Sequence, residues 1–198
     1  GLPAGLSVTS GMNAIAHAAE GLYARDGNPI MSLMAEEGIR ALAQALPAIQ
    51  RRPGEIEARD AALYGAWLCG TVLGNVGMAL HHKLCHVLGG SFNLPHAETH
   101  TIVLPHAVAY NAAAAPEAMA RVARALGAAD AAIALFDLAA SLGARTALRD
   151  IGMDEADLDK AAEIASRNPY YNPRPITQAA IRALLDDAYH GRRPGSST

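Results

Sequence analysis

Six of the eight histidines in the chain, His81, His82, His86, His96, His100 and His106, are crowded into one stretch. Imidazole is a common transition-metal ligand and the side chain that ordinarily titrates near neutral pH, so such crowding points to metal binding or proton transfer. His82 and His86 are four apart and share one face of a helix. His96 follows a Gly-Gly pair and a proline, which lets the chain reverse and return the ring to the same pocket. Earlier, Asn13 and His17 are also four apart, with Glu20 a further turn along the same side. Asn13, His17, His82 and His96, with His86 beside them, have the ligand count and residue types of a divalent transition-metal site. An isolated His-x-x-x-His pair is more often a surface or hydrogen-bonded core feature, and Asn13 alone would only help to cap its helix. The combination carries the reading. His81, His100 and His106 are expected to be structural, because His81 faces away from His82 and the other two project at different angles along their helix.

The elements that must position these side chains read as helices throughout. Alanine is abundant, apolar residues recur at helical spacing, and no alternating β-branched and aromatic run marks a strand, so the fold class is all-α. A first helix is expected from an N-cap at Ser10 to the Gly27-Asn28-Pro29 breaker, a second over residues 30–46 ending at Pro47, and a third over residues 55–80. A short helix over residues 82–88 should stop at Gly89 and Gly90, since glycine takes the left-handed conformation without a Cβ clash. Residues 91–95 then make the return to a helix over residues 96–110, bent or divided at Pro105. Further helices are expected over residues 116–126, 129–142, 154–166 and 176–189. The helical domain should span residues 1–190, and residues 191–198 should be a flexible tail. Residues 61–80 carry no formal charge and include Gly70 and Gly74 in a G-x-x-x-G, which is long enough to span a bilayer. Tyr64, Thr71, Asn75 and the glycines, followed directly by His81, His82 and Lys83, favour instead a central helix buried on all sides, its glycines marking close helix contacts.

A chain of 198 residues buries roughly 70% of the surface exposed when unfolded, so one domain forms without disulfide or metal. The net charge is −3 and the lysines are Lys83 and Lys160, which leaves no basic field for a phosphate backbone. Neither nucleic acid nor a membrane is expected as a partner. Cys69 and Cys85 sit in apolar or His-rich runs, as buried thiols do in a reducing compartment, and no charged-then-apolar leader opens the chain, so a cytoplasmic location is expected. A His/Asp helical phosphohydrolase would need a His-Asp doublet, which the sequence lacks. A non-catalytic helical binding module stays open as the reading of an isolated fragment.

Three segments carry a resemblance: SGMNAIAHAAEG at residues 10–21, HKLCHVLGGSFNLPH at residues 82–96 and NPRP at residues 172–175. They resemble the multi-helix C-terminal domain of the iron-containing alcohol dehydrogenase superfamily, of dehydroquinate synthase-like fold, and within it the maleylacetate reductases. The similarity covers essentially the whole chain, and the second segment is the most specific of the three. It implies a helical domain packed against an N-terminal Rossmann-like domain that binds NADH or NADPH, an active site in the cleft between them, and a homodimer. Nothing in the sequence resembles the Gly-rich turn that holds a pyrophosphate. The chain is therefore expected to supply one half of an enzyme, inactive without the N-terminal nucleotide-binding domain.

By position, the resemblance implies that Asn13, His17, His82 and His96 stand where metal-dependent members have an Asp and three His that bind Fe2+ or Zn2+. His86 takes the place of a histidine beside nicotinamide and substrate that takes part in proton transfer. Asn13 is the departure. A carboxylate's unit charge is worth about 4 kcal/mol per unit of partner charge at about 4 Å and an effective dielectric near 20, so its loss should leave any metal weakly held or absent. Three histidines and Lys83 without a carboxylate would form an electropositive pocket for a small dicarboxylate substrate, bound by Asn13, His17, Lys83 and His96. The implied oxidoreductase reaction is NAD(P)H-dependent reduction of maleylacetate to 3-oxoadipate in the breakdown of aromatic compounds. His17, His82 and His96 would steady enolate charge, and His86, with an ordinary pKa near working pH, would give the proton. The catalytic set is then His86, His82 and His17. The alternative in the same superfamily is a metal-dependent alcohol dehydrogenase.

Overall fold

Helix-period apolar stripes give nine α-helices and no strand among residues 1–195, the residues that the computed structural model describes. In chain order they are α1 (Ala4–Gly21), α2 (Pro29–Arg51), α3 (Ile56–Leu73), α4 (Leu80–Phe92), α5 (His96–Asn111), α6 (Pro116–Ala125), α7 (Ala131–Ser141), α8 (Leu158–Ser166) and α9 (Gln178–His190). Two 3-10 turns, Leu148–Ile151 and Glu155–Asp157, precede α8. The all-α expectation holds.

The apolar side chains gather into two cores. Met12, Ile15, Ile39, Leu42, Val72 and Leu135 join α1, α2, α3 and α7 in the first, and Leu80, Leu84, Leu88, Leu158, Ile181 and Leu185 join α4, α8 and α9 in the second. Helix α5 lies between them. Its Leu104 and Val108 enter the first core while Ile102, Val103 and Ala107 enter the second. This helix is therefore buried along most of its length, and its two threonines are satisfied locally. Thr99 Oγ1 donates to Pro95 O at 2.6 Å, and Thr101 Oγ1 to Ala97 O at 2.8 Å.

The expectation of a central, fully buried third helix is corrected by this arrangement. α3 presents Leu63 and Trp67 to the outside at 69% and 64% exposure. Among the described residues no helix is long and apolar enough to cross a membrane. Nor do Gly70 and Gly74 mark a close approach: no atom lies within 4 Å of where a Cβ on Gly70 would be. The tight crossing is at Gly65, where a Cβ would stand 2.8 Å from Leu42 Cγ and 3.1 Å from Gly38 O. Small residues at that point let α2 and α3 touch backbone to backbone.

Several boundaries also differ. α1 starts at Ala4, and Ser10 lies inside it; Ser7 Oγ donates back to Pro3 O and is gripped by Arg59 Nη1, so the hydroxyls upstream of Ser10 do not break the helix. α2 continues through Pro47 to Arg51, because Leu46 and Ile49 are both buried and their packing offsets the missing amide. α3 ends at Leu73 rather than continuing to residue 80, and the turn that follows is held by Asp26, whose carboxylate accepts from Gly77 N. α4 begins two residues earlier than expected and runs past Gly89 and Gly90. It ends at Asn93, which takes the left-handed conformation at φ 55° while Asn93 N and Leu94 N close onto Gly89 O and Leu88 O. Beyond α9, Arg192 pairs with Asp186 and Asp187, and Arg193 with Asp137. Residues 196–198 of the expected tail lie outside the described residues.

Candidate active site

The site is organised by a carboxylate. Glu20, near the end of α1, is completely buried and lies at the N-terminus of α4. The first amides of a helix have no partner within it, and here Ala79 N and His81 N donate to the Glu20 carboxylate at 2.8 and 2.6 Å. His82 Nδ1 joins them at 2.7 Å. One side chain of α1 therefore caps α4 and fixes the ring of His82. With Nδ1 engaged, Nε2 is the nitrogen of His82 left for other chemistry, and it is buried with no hydrogen-bond partner.

Around this anchor the structure brings together the residues singled out in the sequence. The His17 ring stacks on that of His82, with centroids 4.9 Å apart. Asn13, one turn before His17, has its Oδ1 buried without a partner. His86 lies 6.1 Å from His82 by ring centroid, and His86 and His96 are exposed. Burial first, and then the charges of His82 and His96, push His17 down to about 4, so it is a neutral donor at pH 7 rather than an imidazolium. Burial likewise lowers His86, with smaller effects from His82 and His96, so its pKa does not keep the ordinary value expected for it.

Two expectations are corrected here. The pocket is not free of carboxylate, because Glu20 stands directly behind His82. His81 and His100 do not point away from the cluster. The His81 and His82 rings meet edge to face at 5.1 Å, and His100 lies 5.1 Å from His82 and 4.3 Å from His96. His81 Nε2 and His100 Nδ1 share a hydrogen bond of 2.9 Å, with Cys85 Sγ 3.7 Å from His81 Nε2. His81, Cys85 and His100 thus form a buried set whose donor atoms lie within 4.8 Å of one another and could hold a soft metal ion. Burial drives His81 well below its ordinary value and His100 to about 2, and drives the Cys85 thiol well upward, so protein alone keeps all three neutral. His106 lies apart, against Phe136.

Glu20 was visible as the third member of the Asn13–His17 face, and the signal that could have assigned it was a carboxylate within an Ala-rich apolar stripe, where burial demands a partner. Tyr170 gave no such signal, since it comes from an irregular segment. Its hydroxyl lies 3.1 Å from His86 Nδ1, and its ring faces Lys83 Nζ at 5.5 Å. A cavity of about 630 Å3 lined by Arg25, Asp26, Gly77, Met78, Tyr170 and Tyr171 adjoins this corner.

Residues 7–189 match the family described as Fe-containing alcohol dehydrogenase family, C-terminal. The chain belongs to this family. It is 60% identical over 194 residues to a maleylacetate reductase of Burkholderia cepacia, covering 98% of this chain and 55% of that protein. Among solved structures it resembles a putative alcohol dehydrogenase from Ralstonia eutropha JMP134, with a TM-score of 0.96 at 72% identity, again over 98% of this chain and 55% of that one. A maleylacetate reductase from Agrobacterium tumefaciens superposes with a TM-score of 0.95 at 59% identity, over the same shares of the two chains. The chain spans about half the length of the curated relatives it matches and corresponds to the C-terminal helical part of the Fe-containing alcohol dehydrogenase family.

Proposed function

We propose that the chain is the helical half of an NAD(P)H-dependent maleylacetate reductase, which reduces maleylacetate to 3-oxoadipate. The observation that carries this reading is the pair of buried, unpartnered atoms Asn13 Oδ1 and His82 Nε2 beside the His17 ring, since such atoms await a ligand. Relatives named maleylacetate reductase support the substrate. The other half would be the N-terminal nucleotide-binding domain, which would hold NADH or NADPH.

In this mechanism the substrate is a small dicarboxylate and Lys83 supplies a full positive charge for one carboxylate. A nicotinamide held by the other domain would supply hydride to the conjugated double bond, and negative charge would then develop on the substrate oxygen. His17, as a neutral donor, His96 and the Asn13 side chain line that position. His82, with Nδ1 tied to Glu20, donates from Nε2 when both nitrogens are protonated and offers a lone pair there when they are not. His86 gives the proton that completes the reduction. An amide oxygen and three imidazoles, with Glu20 as outer partner of His82, also fit a divalent ion by donor type. Fe2+ or Zn2+ held by Asn13, His17, His82 and His96 would polarise the substrate oxygen, although the amide at Asn13 weakens its hold. Exposed Ile56, Leu63 and Trp67 on α3 support a homodimer, and the free, buried Cys69 and Cys85 support a cytoplasmic setting.

The test mixes the chain with a separately made nucleotide-binding domain, NADH and maleylacetate. Oxidation of NADH is expected in the mixture and in neither part alone, and an inactive mixture together with an inactive full-length protein would reject the reading. Metal analysis of protein purified without chelator addresses the second reading, a metal-dependent alcohol dehydrogenase, which the donor count favours. Stoichiometric iron or zinc with turnover of simple alcohols would establish that reading instead.

A further inference from the structure

Tyr170 is delivered to His86 by a segment that is irregular in conformation yet firmly attached. Between α8 and α9 the chain crosses the end of α5, and it is fastened there by side chains. Asn111, fully buried, and Asn172 exchange amide hydrogen bonds of 2.9 and 2.7 Å. The Tyr110 hydroxyl donates to Pro175 O at 2.7 Å, while the Arg174 guanidinium lies 4.1 Å over the Tyr110 ring and donates to Tyr110 O. Asn172 also closes its own turn by donating to Arg174 O at 2.7 Å. Asn168 enters the segment in the left-handed region at φ 46°. These attachments make an anchored strap, and what it presents to α4 is the phenol of Tyr170, within hydrogen-bond distance of one nitrogen of His86.

A neutral imidazole is a proton donor only through the nitrogen that carries hydrogen, so the partner at Nδ1 decides what Nε2 can do. We propose that Tyr170 is a positioning residue for His86, donating its hydroxyl to Nδ1 so that Nε2–H is the tautomer turned to the substrate. This inference rests on the reductase reading above. In the reaction, hydride adds to one carbon of the double bond, and the Nε2 proton passes to the resulting enolate as the hydroxyl proton of Tyr170 moves to Nδ1. The phenolate, beside the Lys83 ammonium, recovers that proton when Nε2 is recharged from water. The net change is one hydride from NAD(P)H and one proton from solvent. The exposure of Tyr170 and His86 gives water access to both ends of this pair.

The test is Tyr170→Phe, an exposed position where loss of one hydroxyl leaves the strap's other attachments in place. In the full-length protein with NADH and maleylacetate, kcat is expected to fall roughly 10- to 100-fold while KM changes less than about twofold. In the chain itself, the imidazole 15N shifts of His86, assigned by their loss in His86→Asn, should report Nε2–H in the parent and mixed tautomers in Tyr170→Phe. A kcat within about twofold of the parent, or a tautomer that does not change, overturns the proposal. If the parent enzyme does not reduce maleylacetate, the reductase reading fails, while the nitrogen shifts still decide whether Tyr170 holds His86.

Discussion

Two rows of side chains meet at His82, and they differ in access to water rather than in composition. The outer row, Asn13, His17, His86 and His96, is half-buried or exposed. The inner row, Glu20, His81, Cys85 and His100, is sealed between α1, α4 and α5. Imidazoles in the outer row can meet a substrate and exchange protons with it. Those in the inner row are held neutral by burial, and the Glu20 carboxyl group is engaged by helix amides and His82 Nδ1. In the proposed reaction the inner row would orient and the outer row would react. Residue type alone does not distinguish the two, because desolvation decides which form of an imidazole is available.

That division can be broken at His82, where the largest effect is expected. His82→Ala should lower turnover by roughly 10^2- to 10^4-fold with helical circular dichroism retained, since it removes the buried, unpartnered nitrogen on which the proposed reading rests. Parent-like steady-state kinetics would show that the reacting atoms lie elsewhere. The next effect tests the inner row. Glu20→Gln keeps the size but replaces one acceptor oxygen with an amide donor facing Ala79 N, His81 N and His82 Nδ1, and should cost on the order of 3 kcal/mol in denaturant unfolding. A loss below about 1 kcal/mol would mean that Glu20 does not hold the floor together. The last test is a control away from both rows, and its effect is confined to acid pH. Burial lowers His106 to about 4, with Asp187 opposing, so the unfolded chain binds the proton more readily than the folded one. Stability from this group is complete above pH 6.5 and is lost as pH falls from there through 4, by up to about 3 kcal/mol. His106→Met should flatten that part of the acid branch of a melting-temperature profile, and an unchanged slope would show that His106 is not desolvated in solution.

Much of the site was legible because helical spacing is local. Asn13 and His17, or His82 and His86, share a face whatever surrounds them, and the Gly-Gly and proline before His96 announce a reversal. Helix ends were less legible where packing or side-chain contacts override local preference, as at Pro47 and at Gly89 and Gly90. His81 and His100 were misplaced for a related reason: a face argument on one helix says which way a side chain leaves its own axis, not which neighbours close around it. Tyr170 lay beyond such reasoning, since no period governs residues 167–177.

Helical periodicity and the paired polar residues of α1 and α4 therefore followed from the sequence by itself, because hydrogen bonding and side-chain spacing within a helix depend on nearby residues. The tertiary structure alone decided that α5 rather than α3 runs through the centre, that Glu20 caps α4, and that a strap from the far end of the chain carries Tyr170 to His86. Those outcomes depend on which surfaces lose water together, and the last two rest on contacts between residues 59 and 84 positions apart.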